Sequence, residues 1–267
     1  MSGTSTQSET GGIEARAELG RLLSRYWTTL LIVVLLFVGW EAFARITPRG
    51  NNYFPTLGFT VEQTLGSSDL LLSSLQSTAT ATVLAFIFSV LLGVTLGVVF
   101  SQFVTVREIG MPVLIFAYAL PPVILAPLFL IWFGIGLNGV VAFGTWVAVF
   151  PVFINTMTGM TQTEEEFHHL GEIYGATSWQ MLAYIRIWKA LPHISAGTKV
   201  AVQSSIVGVI VGEFIASGSG MGYLIVLAAQ RAQLGFTYGT ILMLIVFTVS
   251  FYLVVTNLID YITPHVE

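Results

Sequence analysis

Few side chains in this sequence could carry chemistry. Glu213 is the one acid in the long apolar stretch Val200–Ile259, where Arg231 is the only other charge. A carboxylate inside an apolar span is costly unless it is paired, hydrogen-bonded or wetted. His168 and His169 are adjacent, so on a helix they point about 100° apart and cannot comfortably share a metal. His193 and His265 have no acidic or His partner at ligand spacing, and there is no Cys. That excludes disulfides, iron–sulfur clusters and thiolate zinc sites. Gly197-Thr198-Lys199 has the residue types of a phosphate-binding loop in the wrong order, without the upstream Gly. No Ser/His/Asp grouping stands out. The sequence therefore assigns no catalytic residue, no cofactor and no metal, and it offers no phosphate cradle of that kind for ATP.

The elements that must position Glu213 follow from where charge is missing. The 267 residues are 55% hydrophobic and 9% charged, against about 25% charged in soluble domains. Such a chain cannot cover a soluble surface, which excludes a soluble enzyme, a disordered protein and a nucleic-acid binder. The net charge of -4 argues separately against a polyanion partner. A bilayer core is ~30 Å thick and takes about 20 helical residues to cross. Charge is absent from Tyr26–Trp40, between Asp69 and Arg107, and between Glu108 and Glu164. The last gap fits two spans hinged at Gly134-Ile135-Gly136-Leu137-Asn138. The Val200–Ile259 stretch fits two more, hinged across Gly218–Gly235.

The expectation is an all-α polytopic membrane protein. It has a polar tail over 1–25, a first transmembrane helix over 26–45 and a loop over 46–73. A transmembrane domain over 74–260 follows, with spans near 78–102, 111–133, 138–160, 197–217 and 236–259. Runs such as Leu30-Leu31-Ile32-Val33-Val34 do not alternate, so barrel strands are excluded. The tail has neither a basic start nor a small-residue cleavage site, so the first span is not a cleavable signal.

With six spans both termini share a side. That side carries Arg16, Arg21, Arg25, Arg107, Arg186, Lys189 and Lys199, and the other carries Arg45, Arg49 and Arg231. Positive residues are retained inside, which predicts cytoplasmic termini.

The one large cytoplasmic insertion lies over 161–192. Phe167, Leu170 and Tyr174 recur at helical spacing, as do Met181, Leu182, Ile185 and Trp188. Gly175-Ala176 separates the two runs. Thr177 and Gln180 fit a capping box, Arg186 and Lys189 fall where cations favour a helix C-terminus, and Leu191-Pro192 closes the segment. The pattern alone leaves two readings open: an interfacial linker packed under its own bundle, or a surface that meets a partner.

Gly175-Ala176-Thr177-Ser178-Trp179-Gln180 followed by Leu191-Pro192 resembles the cytoplasmic EAA loop of permease subunits in bacterial ABC importers. Pro121-Pro122, Ala126-Pro127-Leu128 and Trp132-Phe133-Gly134-Ile135-Gly136 are similar to the third span of the nitrate/sulfonate/taurine-type permeases. Phe150-Pro151, Gly212-Glu213 and Gly220-Met221-Gly222-Tyr223-Leu224-Ile225 extend the likeness, which runs from about Ser74 to Asp260. His169 stands where the family has the Glu of E-A-A, followed by Leu170-Gly171, with Glu172 nearby. Trp188 stands where many relatives have a Pro.

The resemblance implies a type I ABC importer transmembrane fold in the bacterial inner membrane. It implies a homodimer with the path between two copies, and two ABC ATPase subunits docked on the loop at His169, Glu172, Gly175, Ala176 and Trp179. An extracytoplasmic substrate-binding protein would deliver a small oxyanion such as nitrate, bicarbonate, a sulfonate or taurine. Riboflavin and pyrimidine precursors are the other solutes carried by such relatives. Pro121 and Pro122 remove N–H donors within a span and bend it; a packed kink and a kink beside the translocation path are both open. Glu213 reads either as a carboxylate reaching interfacial water or a backbone N–H of the Gly218–Gly222 turn, or as a gate residue holding that turn. Gly93/Gly97 and Gly208/Gly212 read as close helix packing within the bundle. The competing function is a secondary transporter or channel acting alone, which usually buries several ionisable groups or shows an internal repeat. One buried charge and no clear repeat weigh against it. A scaffold without transport would have no need of Pro121-Pro122.

Overall fold

The computed structural model describes residues 27, 29, 31–47, 53–162, 174–216 and 218–263. The fold is helical, and no strand occurs among the described residues. The chain divides into two units, Met1–Glu62 and Gln63–Glu267.

In the first unit, helix α1 runs over 31–46. Its last turns carry several polar contacts. Glu41 pairs with Arg45 at 2.7 Å and accepts a hydrogen bond from the Leu57 N–H at 2.9 Å. That N–H opens α2, Leu57–Leu65, so a carboxylate supplies a partner for one of the donors that a helix start leaves free. The Trp40 indole donates to the Pro55 carbonyl at 2.8 Å, and the Phe54 ring packs on Trp40 and Phe43.

The second unit is built on three helices: α3 (Ser68–Gln102), α6 (Leu137–Thr161) and α8 (Ile187–Ala216). They approach closely because their facing positions are small. Ala81 and Ala85 of α3 meet Val140 and Val141 of α6 and Val209 of α8 in one cluster, and Ala148, Val152 and Ala201 form the next. A Cβ on Gly93 would lie 2.6 Å from the Val152 Cβ, and one on Gly208 would lie 2.8 Å from the Gly144 Cα. Among lipid tails, such shape-matched contact between small residues is a main source of helix association.

Helices α4 (Val104–Ala119) and α5 (Pro122–Phe133) meet at 101°. One span near 111–133 was expected, and the structure has two helices there. Leu120 and Pro121 are extended, with ψ of 132° and 120°, because a residue before proline is pushed out of the helical region. Pro122 then starts α5, where its missing N–H costs nothing.

A short helix α7 (Ser178–Met181) and a π turn (Leu182–Arg186) run directly into α8. Here the structure corrects the sequence reading. Leu191-Pro192 does not close the segment, and the helix continues through Pro192 to Ala216. A proline inside a membrane helix is tolerated where neighbouring helices or ordered waters re-satisfy the freed carbonyl. The Ile187 N–H already reaches back five residues to the Leu182 carbonyl. The helical path from Ser178 to Ile215 covers 38 residues, about 57 Å at 1.5 Å per residue.

The second correction lies between α8 and the last helix, α10 (Leu234–Ile262). The Gly218–Gly235 hinge contains a helix of its own, α9 (Met221–Gln230). Met221, Leu224 and Ala228 of α9 pack in one core cluster with Leu71, Phe236 and Leu244. Four helical stretches among the described residues are long and apolar enough to cross a membrane: Ser68–Gln102, Leu137–Thr161, Ser178–Ile215 and Leu234–Ile262. The bent α4–α5 pair is a fifth when its two helices are counted as one broken span. At the other end of the bundle, Lys199 of α8 pairs with Asp260 of α10.

Candidate coupling and gate sites

Two sites stand at opposite ends of the long helix. The first is the turn that starts it. Gly175 has φ of +67°, a conformation in which a Cβ is strained. Thr177 caps the helix: its hydroxyl accepts from the Gln180 N–H at 3.3 Å, and its own N–H donates to Gln180 Oε1 at 2.8 Å. The box fixes the angle at which the chain leaves the turn. Met181 and Leu182 are buried, and Leu182 packs with Met160 and Ala190. Tyr174, Trp179, Tyr184 and Trp188 face outward, Trp179 at 73% exposure. The segment is thus anchored by one face and offers aromatic side chains on the other. His169 and Glu172 lie outside the described residues, as does the first amphipathic run at Phe167 and Leu170. Gly175, Ala176 and Trp179 share the capped turn.

The second site surrounds Glu213, three residues before the end of α8 and only 2% exposed. The Thr78 hydroxyl of α3 lies 2.8 Å from Glu213 Oε1 and 3.0 Å from Oε2. The Gly222 N–H donates to Oε2 at 2.8 Å. The same Thr78 oxygen accepts from the Met221 N–H at 2.8 Å. One carboxylate therefore joins α3, α8 and the start of α9. The turn is shaped to it: Gly220 has φ of +95°, and a Cβ there would overlap the Glu213 carboxylate. Beside it the Ser77 and Ser219 hydroxyls lie 3.3 Å apart.

Sequence reasoning singled out Glu213 and the turn but missed Thr78. Its partner lies 135 positions away, and no local pattern connects them. Pro121 and Pro122 sit at the α4–α5 bend and are not among the residues that contact Glu213 in this network. An apolar groove of about 550 Å³ opens between α3, α5 and α6, walled by Phe129, Phe133 and Trp146. It is far larger than any space beside Glu213. Its surface is almost wholly apolar, so it offers little to orient a charged solute.

Residues 89–267 match the family described as the binding-protein-dependent transport system inner membrane component. The chain belongs to this family. A probable ABC transporter permease protein of Haemophilus influenzae is 26% identical over 84% of this chain and 91% of its own length. The formylaminopyrimidine transport permease protein ThiX of Halalkalibacterium halodurans is 29% identical over 72% of this chain and 77% of its own. Among solved structures, the MetNI methionine ABC transporter in an inward-facing crystal form shares the fold with a TM-score of 0.65. It is 15% identical and covers 76% of this chain and 98% of its own. The chain is thus the permease subunit of an ABC importer, a multi-pass inner-membrane protein of the type I transmembrane fold that works with ATPase partners. The permease has no group of three or more His, Asp or Glu placed to hold a metal among its described residues.

Proposed function

We propose that two copies of this permease form the translocation path for a small solute. Two separate ATPase subunits drive it through the turn at Gly175, Ala176 and Trp179, with His169 and Glu172 on the approach to that turn. An extracytoplasmic binding protein delivers the solute, and both termini are cytoplasmic. The observation that carries this reading is the continuous helical path from the capped turn at Thr177 to Glu213. It joins a surface suited to an ATPase to a buried latch at the other end of the bundle. ATP binding draws the two coupling turns together, the long helices tilt, and the latch at Glu213, which keeps its hold on the Gly-rich turn, parts from α3. Glu213 acts as a gate residue and does not bind the solute, because its charge repels an anion. Pro121 and Pro122 set the bend that borders the path. The likeness to nitrate, sulfonate and taurine permeases favours an oxyanion, including bicarbonate. The formylaminopyrimidine relative supports a second class, pyrimidine precursors.

The purified permease alone is expected to show no ATP hydrolysis. Co-expressed with its ATPase, it should purify as a complex of two copies of each. Robust hydrolysis by the permease by itself would overturn the assignment.

Orientation has its own test. The chain has no cysteine, so single cysteines report cleanly. One at Asn51 should react with an impermeant thiol reagent in intact cells, and one at Ser5 or Gly171 should be shielded. The inverse pattern would reverse the orientation.

A further inference from the structure

We infer that Thr78 is the positioning residue of the outer latch, a buried polar contact between α3 and the α8–α9 hairpin that breaks when the latch opens. This rests on the gate role proposed for Glu213. The Gly222–Glu213 bond spans only nine positions and lies within the hairpin itself, so it survives any motion that carries α8 and α9 together. The Thr78 bonds are different. They cross 135 positions to Glu213 and 143 to Met221. If α3 moves away from the hairpin, these bonds must break.

A hydroxyl has one proton to donate and lone pairs to accept with. Thr78 uses both capacities: its proton goes to the carboxylate, and its oxygen takes the Met221 N–H. That N–H is the first of α9 and has no partner within its own helix. Thr78 is fully buried, as is Met221, so water does not compete while the latch is closed. A cavity of about 10 Å³ adjoins the carboxylate between Ser77, Gly136 and Ser219. That is room for about one water, which can take over a hydrogen bond as the helices part. Losing the hydroxyl removes a bond to a charged group and strands a buried donor, each enough to shift an equilibrium about tenfold.

The test needs no solute. Cysteines placed at Ser77 and Ser219 sit where the two hydroxyls are 3.3 Å apart, and a disulfide between them would pin α3 to the turn. In membranes carrying the permease with its ATPase, oxidation of this double variant should cut ATP hydrolysis at least about tenfold, and reduction should restore it. In the same background Thr78→Val should slow the initial rate of cross-linking, by at most about tenfold, whereas Thr78→Ser, which keeps the hydroxyl, should match the parent. If Thr78→Val does not accumulate in the membrane, Thr78→Ala takes its place. Equal cross-linking rates in the hydroxyl-free variant and the parent, with hydrolysis still blocked by the disulfide, would overturn the role of Thr78 and leave the gate standing. Unchanged hydrolysis in the fully cross-linked protein would overturn the gate reading itself.

Discussion

Replacing Glu213 by alanine is expected to abolish transport or to uncouple ATP hydrolysis from it, while replacing it by glutamine should leave partial transport. The carboxylate accepts from Thr78 and from the Gly222 N–H in a site that is 2% exposed. Each hydrogen bond to a charged group contributes roughly 1.5–3 kcal/mol. Glutamine keeps an acceptor oxygen of the same reach, so the Gly222 N–H stays paired. Alanine removes both bonds, leaves a buried N–H unsatisfied and opens a cavity under a turn whose glycines are fitted to the carboxylate. Uptake by right-side-out vesicles, normalised to permease in the membrane, is the measurement. Wild-type uptake in both variants would make Glu213 a packing group without a part in the cycle.

Gly175→Leu should lose transport without losing the fold. A Cβ at Gly175 would meet nothing within 4 Å, so the intramolecular cost is the left-handed backbone alone, on the order of 1–2 kcal/mol. That is small for a bundle of this size. The side chain would instead project from the exposed turn that presents Trp179, where it would block or mis-angle the docked helix. The expected result is near-normal amounts of folded permease with ATP hydrolysis no longer linked to uptake. Normal uptake would reduce the segment to a linker.

The parts of this architecture that were legible in the sequence are those set by local physics. The capping box needed only Thr177 and Gln180, three positions apart, and the structure has both of its hydrogen bonds. A bend at Pro121-Pro122 was legible from two missing N–H donors, though the helix breaks there because Leu120 and Pro121 are pushed out of the helical region. The packing of Gly93 on Val152 and of Gly208 on Gly144 was legible as small-residue spacing, though not its partners.

What escaped depended on the surroundings. Pro192 looked like a helix end because proline ends helices in water. In this bundle, close packing against neighbouring helices lets the helix continue through it. Helix α9 was hidden by the glycines around it. Its Met221, Leu224 and Ala228 spacing is helical, but it takes the core cluster with Leu71 and Phe236 to make a ten-residue helix worth forming. Thr78 was invisible for a different reason: a threonine in an apolar span looks the same whether it bonds its own backbone, as Thr80 does, or a carboxylate on another helix.

On the proposed mechanism, this permease moves solute only when a separate ATPase drives it. The most direct measurement is uptake by proteoliposomes of the solute its binding protein carries, with the ATPase subunit and ATP each present or withheld. Accumulation is expected only when permease, ATPase, ATP and loaded binding protein are all present. Accumulation by the permease alone, driven by an ion gradient or by the solute's own gradient, would contradict it.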